Sequence, residues 1–93
     1  MKILAMSFRL YVPWVHSLKE KRMIVQSLIT KLQNRFHVSA AEIDEQDAHQ
    51  FFVIGAAAIV PHNAMADRLW GEISRFTEET TGAEITEAVR EIR

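Results

Sequence analysis

Apolar and polar positions alternate from Met1 to Val12. Leu4, Met6, Phe8, Leu10 and Val12 fall on one side, and Ile3, Ala5, Ser7, Arg9 and Tyr11 on the other. A period of two is that of a strand. Pro13 ends it, since proline has no N–H to give to a ladder. The pattern then changes to a helical period, with Leu18, Val25, Leu28, Ile29, Leu32 and Phe36 on one stripe. Ser17-Leu18-Lys19-Glu20 has the form of a capping box, in which residues 17 and 20 exchange side-chain-to-backbone hydrogen bonds. The helix is expected to run to about Asn34.

His37 to Asp44 reads as a second strand whose alternation slips near Ala41-Glu42, which points to a bulge. Glu45 to Gln50 is a polar turn, and Phe51 to Val60 is a third strand, apolar on both faces. Pro61-His62-Asn63 opens a second helix with Asn63 as its expected N-cap. Met65, Leu69, Ile73 and Phe76 form its expected buried stripe, and Thr81-Gly82 its end. Ala83 to Arg93 is a weaker fourth strand anchored by Ile85 and Ile92. Two strand–helix–strand units joined by a hairpin predict one α+β domain over residues 1–93. The expected arrangement is ferredoxin-like βαββαβ: a four-stranded antiparallel sheet of order 4-1-3-2, with right-handed crossovers and both helices on one face.

Composition narrows the function classes. Hydrophobic residues make up 48% of the chain, enough for a core. The chain has no cysteine, which excludes disulfides, thiolate zinc sites and a cysteine nucleophile and leaves the cytoplasm as the default compartment. Met1 to Ala5 lacks a long apolar run, so no signal peptide is expected. The apolar stretch Phe51 to Val60 is about half of the ~20 residues a membrane span needs. A net charge of −1 provides no global basic field, so any nucleic-acid binding must come from a local patch.

The predicted topology gathers three segments at one end: the loop Pro13 to Ser17, the start of the first helix, and the hairpin. Lys19, Lys21 and Arg22 place cations at a helix N-terminus, where the dipole disfavours them. One reading has Lys21 and Arg22 lay their stems along the sheet and pair with Asp44 or Asp47. The sharper reading is an anion or RNA site built from His16, Ser17, Lys19, Lys21 and Arg22, with Asp44, Asp47 and His49 as polar partners. His16, Asp44, Asp47 and His49 match no metal-ligand spacing, and no nucleophile elbow or Gly-rich phosphate loop is present, so no metal, cofactor or catalytic residue is assigned. Trp14 is read as a lid on the core, with stacking on a base or partner as the alternative.

The helices can cover only one face of the sheet. The other face would expose an apolar patch too large for a monomer, which predicts self-association through Arg9, Tyr11, Phe51, Val53, Gly55 and Ala57. Gly55 and Ala57 are expected to permit close approach. Arg9 is expected to pair with Glu42, Glu87 or a symmetry mate. A competing reading makes this face an RNA platform with Tyr11 and Phe51 stacking on bases, although Phe51-Phe52-Val53-Ile54-Gly55-Ala56 lacks the basic start of the corresponding motif.

His16-Ser17-Leu18-Lys19-Glu20-Lys21-Arg22 resembles the signature of the YlxP-like family of small bacterial proteins, a domain of unknown function. Asn34 to Ser39, Glu42 to Asp47 and Ile54 to Ala57 resemble its later blocks in order. The resemblance implies the ferredoxin-like fold, gene neighbours in transcription elongation, translation initiation and ribosome maturation, and no established catalytic residues. Phe51 and Val53 depart from it, being apolar where polar or charged residues are expected, which implies stronger association in this member. The expectation is therefore a non-enzymatic, cytoplasmic homo-oligomer that presents the Ser17-to-Arg22 end to RNA or a ribosome-associated protein, with no membrane partner. The rivals are a small-molecule or enzymatic site between packed sheets, as in dimeric α/β barrels, and a purely structural partner protein.

Overall fold

In the computed structural model, which covers residues 1–93, the chain forms β1 (Lys2–Tyr11), α1 (Leu18–Phe36), β2 (Ser39–Asp44), β3 (Phe51–Val60), α2 (Asn63–Thr81) and β4 (Glu84–Ile92). The strands make one antiparallel sheet of order β2-β3-β1-β4, which is the expected order read from the other edge. Leu4, Met6, Phe8, Leu10 and Val12 are all buried, as are Phe52, Ile54, Ala56, Ala58 and Val60 opposite them. These two rows face Val25, Leu28 and Leu32 of α1 and Ala66 and Ile73 of α2, so the core lies between the helices and one side of the sheet. Burial of about ten large aliphatic and aromatic side chains at roughly 1.5–3 kcal/mol each drives this packing.

The local signals set the element ends with a few corrections. Ser17 caps α1, its hydroxyl accepting from the Glu20 N–H at 3.2 Å. The helix runs on to Phe36, because His37 adopts a left-handed cap at φ 55° and so cannot begin β2. At α2 the N-cap is His62 rather than Asn63: its Nδ1 accepts from the Met65 N–H at 3.2 Å. The α2 buried stripe is Ala66, Ile73 and Thr77, flanked by Leu69, Trp70 and Phe76, and Met65 stays exposed in the first turn. Trp70 stacks on Phe8 at 5.0 Å between ring centroids, and the two rings close the core under β4.

Both edge strands carry register shifts. The β2–β3 shift falls between Glu42 and Asp44, where the sequence slip indicated a bulge, and leaves Ile43 unpaired. The β1–β4 shift falls between Arg9 and Leu10. It explains how Ile85 and Ile92, seven residues apart, can both turn inward: Thr86 is the extra residue, so Ile85 lies opposite Leu10 and Ile92 opposite Leu4.

Candidate functional site

The hairpin between β2 and β3 is held from two directions. From below comes Lys21, in the first turns of α1, which is fully buried. Its ammonium donates to the carbonyls of Glu45 (2.8 Å), Gln46 (3.0 Å) and Phe51 (3.3 Å). A lysine has three N–H bonds, and these carbonyls use all of them. The Glu42 carboxylate, 3.4 Å away, balances the charge without a hydrogen bond of its own. Lys21 is therefore not available to an anion, which corrects its assignment to the candidate RNA site. Its partners are also not Asp44 or Asp47 but the backbone of the turn and a neighbouring glutamate.

From the sheet side comes Arg9. Its guanidinium makes a two-pronged contact with Glu45, Nε to Oε2 at 2.6 Å and a terminal nitrogen to Oε1 at 3.2 Å. It lies over the Phe51 ring, 3.9 Å from the centroid, and that ring stacks on Tyr11. The partner is Glu45, not Glu42 or Glu87. The hydrogen bond to Glu45 raises the Arg9 pKa; exposure lost around the group pulls the other way, and the charges of Glu45 and Glu87 add to the rise. Arg9 is thus a fixed cation, used to brace the hairpin.

Glu45 joins the two anchors. It sits in the left-handed region at φ 56°, which disfavours a residue with a Cβ. Each of its polar groups is engaged. Its N–H donates to Asp44 Oδ1, its carbonyl accepts from Lys21 and the Ala48 N–H, and its carboxylate accepts from Arg9. Glu42, expected beside Arg9, meets Lys21 instead, and Glu45 is marked in the sequence only by the polarity of the hairpin, because their partners lie 21 to 36 residues away.

The remaining candidates separate into two places. His16 and His49 line one shallow depression of about 390 Å³ with Val15 and Gln50. Gln50 ties this loop to the hairpin by donating to the carbonyls of Pro13 and Val15. Asp47 is exposed at the turn, and no three His, Asp or Glu side chains converge in a metal-binding arrangement. Trp14 is about half exposed, with its ring edge beside Gly82 at the end of α2. Lys19 and Arg22 are exposed and belong to the outer surface of α1.

That outer surface is the most uneven charge distribution on the molecule. The helix carries Lys19, Lys21, Arg22, Lys31 and Arg35 against Glu20 alone, so eleven of the twelve carboxylates lie elsewhere. Lys19, Arg22, Lys31 and Arg35 are exposed, and none belongs to an ion pair, although Arg35 lies over the Phe36 and Phe76 rings. Lys19, Arg22, Gln26, Thr30 and Gln33 follow one another at spacings of three and four, a single line along the solvent side. At 1.5 Å per residue it extends about 21 Å.

The opposite, open face of the sheet departs from expectation at its centre. A Cβ on Gly55 would meet the Ile43 side chain at 3.0 Å, so the space left by the glycine is already filled by the bulged residue of the same chain. Beside it, Ser7, Arg9, Ile43, Glu45, Val53 and Glu87 border an open concavity of about 500 Å³.

Fold and site together define a small α+β protein, most of whose polar end is spent on internal bracing, with one basic helix surface left free. A family model described as a protein of unknown function, DUF503, matches residues 3–90, and the chain belongs to that family. It is also similar to the uncharacterized protein YlxP of Bacillus subtilis (strain 168), with 34% identity over 62 residues, 67% of each chain. The family likeness carried by the His16-to-Arg22 block is borne out.

Proposed function

We propose that this protein is a non-enzymatic RNA-binding module, a ferredoxin-like scaffold that offers the outer surface of α1 to a phosphate backbone. The observation that carries the reading is the line Lys19, Arg22, Gln26, Thr30 and Gln33, interrupted by no carboxylate. Unpaired exposed cations interspersed with amide and hydroxyl groups suit phosphate and ribose contacts, because both groups are hydrogen-bond acceptors. At about 21 Å the line is long enough to meet several consecutive phosphates of a strand.

The site is smaller than the one expected from sequence. Lys21 is withdrawn into the protein, and Lys19 and Arg22 remain as its charged members. Fluorescence anisotropy with a labelled single-stranded RNA tests the reading. Lys19→Glu with Arg22→Glu should weaken binding by more than about ten-fold. Lys2→Glu, a charge change of the same sign on β1, should leave it within about two-fold. If the double variant binds as the parent does, the reading is wrong.

A further inference from the structure

The strand registers put Ser7 at the middle of the open sheet face, beside Gly55 on β3 and Val89 on β4. The two ends of the face differ in size. Toward the hairpin stand Arg9, Phe51 and Tyr11; away from it stand Ala5, Ala57, Ile3 and Ile59. Several apolar side chains there are left in water: Ile59 is 73% exposed, Val89 54% and Ile3 39%. The charge on this face is largely self-compensated, since Arg9 is paired with Glu45 and Glu91 with Arg93.

We propose that a second copy of the chain covers this face, related by a two-fold axis that lies in the interface, runs across the strands and passes near Ser7. Such an axis exchanges the ends. The Tyr11–Phe51 stack of one copy lies over Ile3 and Ile59 of the other, and each Arg9 lies over the small side chains of Ala5 and Ala57. Aromatic rings meet aliphatic side chains, Arg9 meets alanines, Val89 meets its own counterpart, and on β4 Glu87 meets Glu91, whose charge Arg93 offsets. The other two-fold that can pair the faces runs along the strands. It sets large residues on large, and brings Asp44 and Glu45 of the hairpin against Glu84 and Glu87 of the facing β4, a cluster of like charges. The fit of side-chain sizes selects the first.

The area is adequate. Four strands about 4.8 Å apart and some nine residues long at about 3.3 Å each give a face near 600 Å² in projection, and its corrugated accessible surface is larger. A stable interface uses about 800 Å² per partner. This inference does not rest on the RNA reading, because α1 lies on the other side of the sheet.

Sedimentation velocity of the full chain over micromolar concentrations should report a dimer. Ile59→Glu buries a charge in the interface and should weaken the dimer by about a hundred-fold. Because Ile59 is exposed in the single chain, its circular dichroism should match the parent, and its melting point should be lower by what the parent loses on dilution and independent of concentration. The absence of cysteine makes the axis testable with Ser7→Cys and Ile59→Cys, each treated with a short bis-maleimide. Ser7→Cys should cross-link to its own counterpart. Two Ile59→Cys sites would lie about 26 Å apart along the strands and should not. A monomer at all concentrations, a dimer unaffected by Ile59→Glu, or any cross-linking at residue 59 overturns the proposal. A monomer that still binds RNA overturns it alone.

Discussion

Lys21 has a full positive charge and no exposed surface. Such a residue is stable only because three carbonyl oxygens and a carboxylate surround it. Removing the ammonium strands all of them. Lys21→Met keeps the stem's volume and should cost about 3 kcal/mol, read as a lower denaturant midpoint with an unchanged slope. Glu45 presents the complementary case. Its left-handed backbone is held by contacts on its N–H, carbonyl and carboxylate. Arg9→Ala removes one of these from a pair that is about a third exposed and should lower the denaturant midpoint much less than Lys21→Met does, in the same measurement. Nothing near Lys21 in sequence announces its burial. That its stem could lie along the sheet was legible, but the carbonyls it meets come from a turn 24 to 30 residues later.

Among the elements, the helix starts are where local chemistry alone makes a forecast. Ser17 and His62 both have extended backbone and accept from the N–H three residues on. A serine oxygen is a favoured cap. Histidine is not, because it accepts only while Nδ1 is unprotonated. Ser17→Ala should lower the melting stability by about 1 kcal/mol, whereas His62→Asp should raise it by about 0.5–1 kcal/mol by adding a charge suited to the helix dipole. The choice of His62 over Asn63 could not be read from composition, since asparagine is the better cap in isolation; the entry path of the chain after Pro61 decides which residue occupies the position. The bulge at Ile43 was visible as a slip in alternation. The bulge in β4 was also present in the sequence, as the odd spacing between Ile85 and Ile92, but it becomes meaningful only when both are known to face the core.

Across the whole molecule, charge is partitioned rather than mixed: α1 is basic and the rest of the chain acidic. A net charge of −1 conceals this. The partition makes RNA affinity steeply dependent on salt. Each phosphate contact contributes about 0.7 to the slope of log affinity against log salt for single strands, so Lys19→Gln with Arg22→Gln should reduce the measured slope by about 1.4. The sequence by itself determined the order of the six elements, the core-facing row of each central strand and the antiparallel topology, because these follow from periods of two and 3.6 and from short connections. It also left the helix cations countable. Tertiary structure decided which of those cations reaches water, which carboxylate Arg9 meets, and that Ile43 rather than a partner fills the space above Gly55. Those outcomes depend on how side chains from distant segments converge. Local periodicity specifies the face from which a side chain leaves its own element, but not the atom it meets on another.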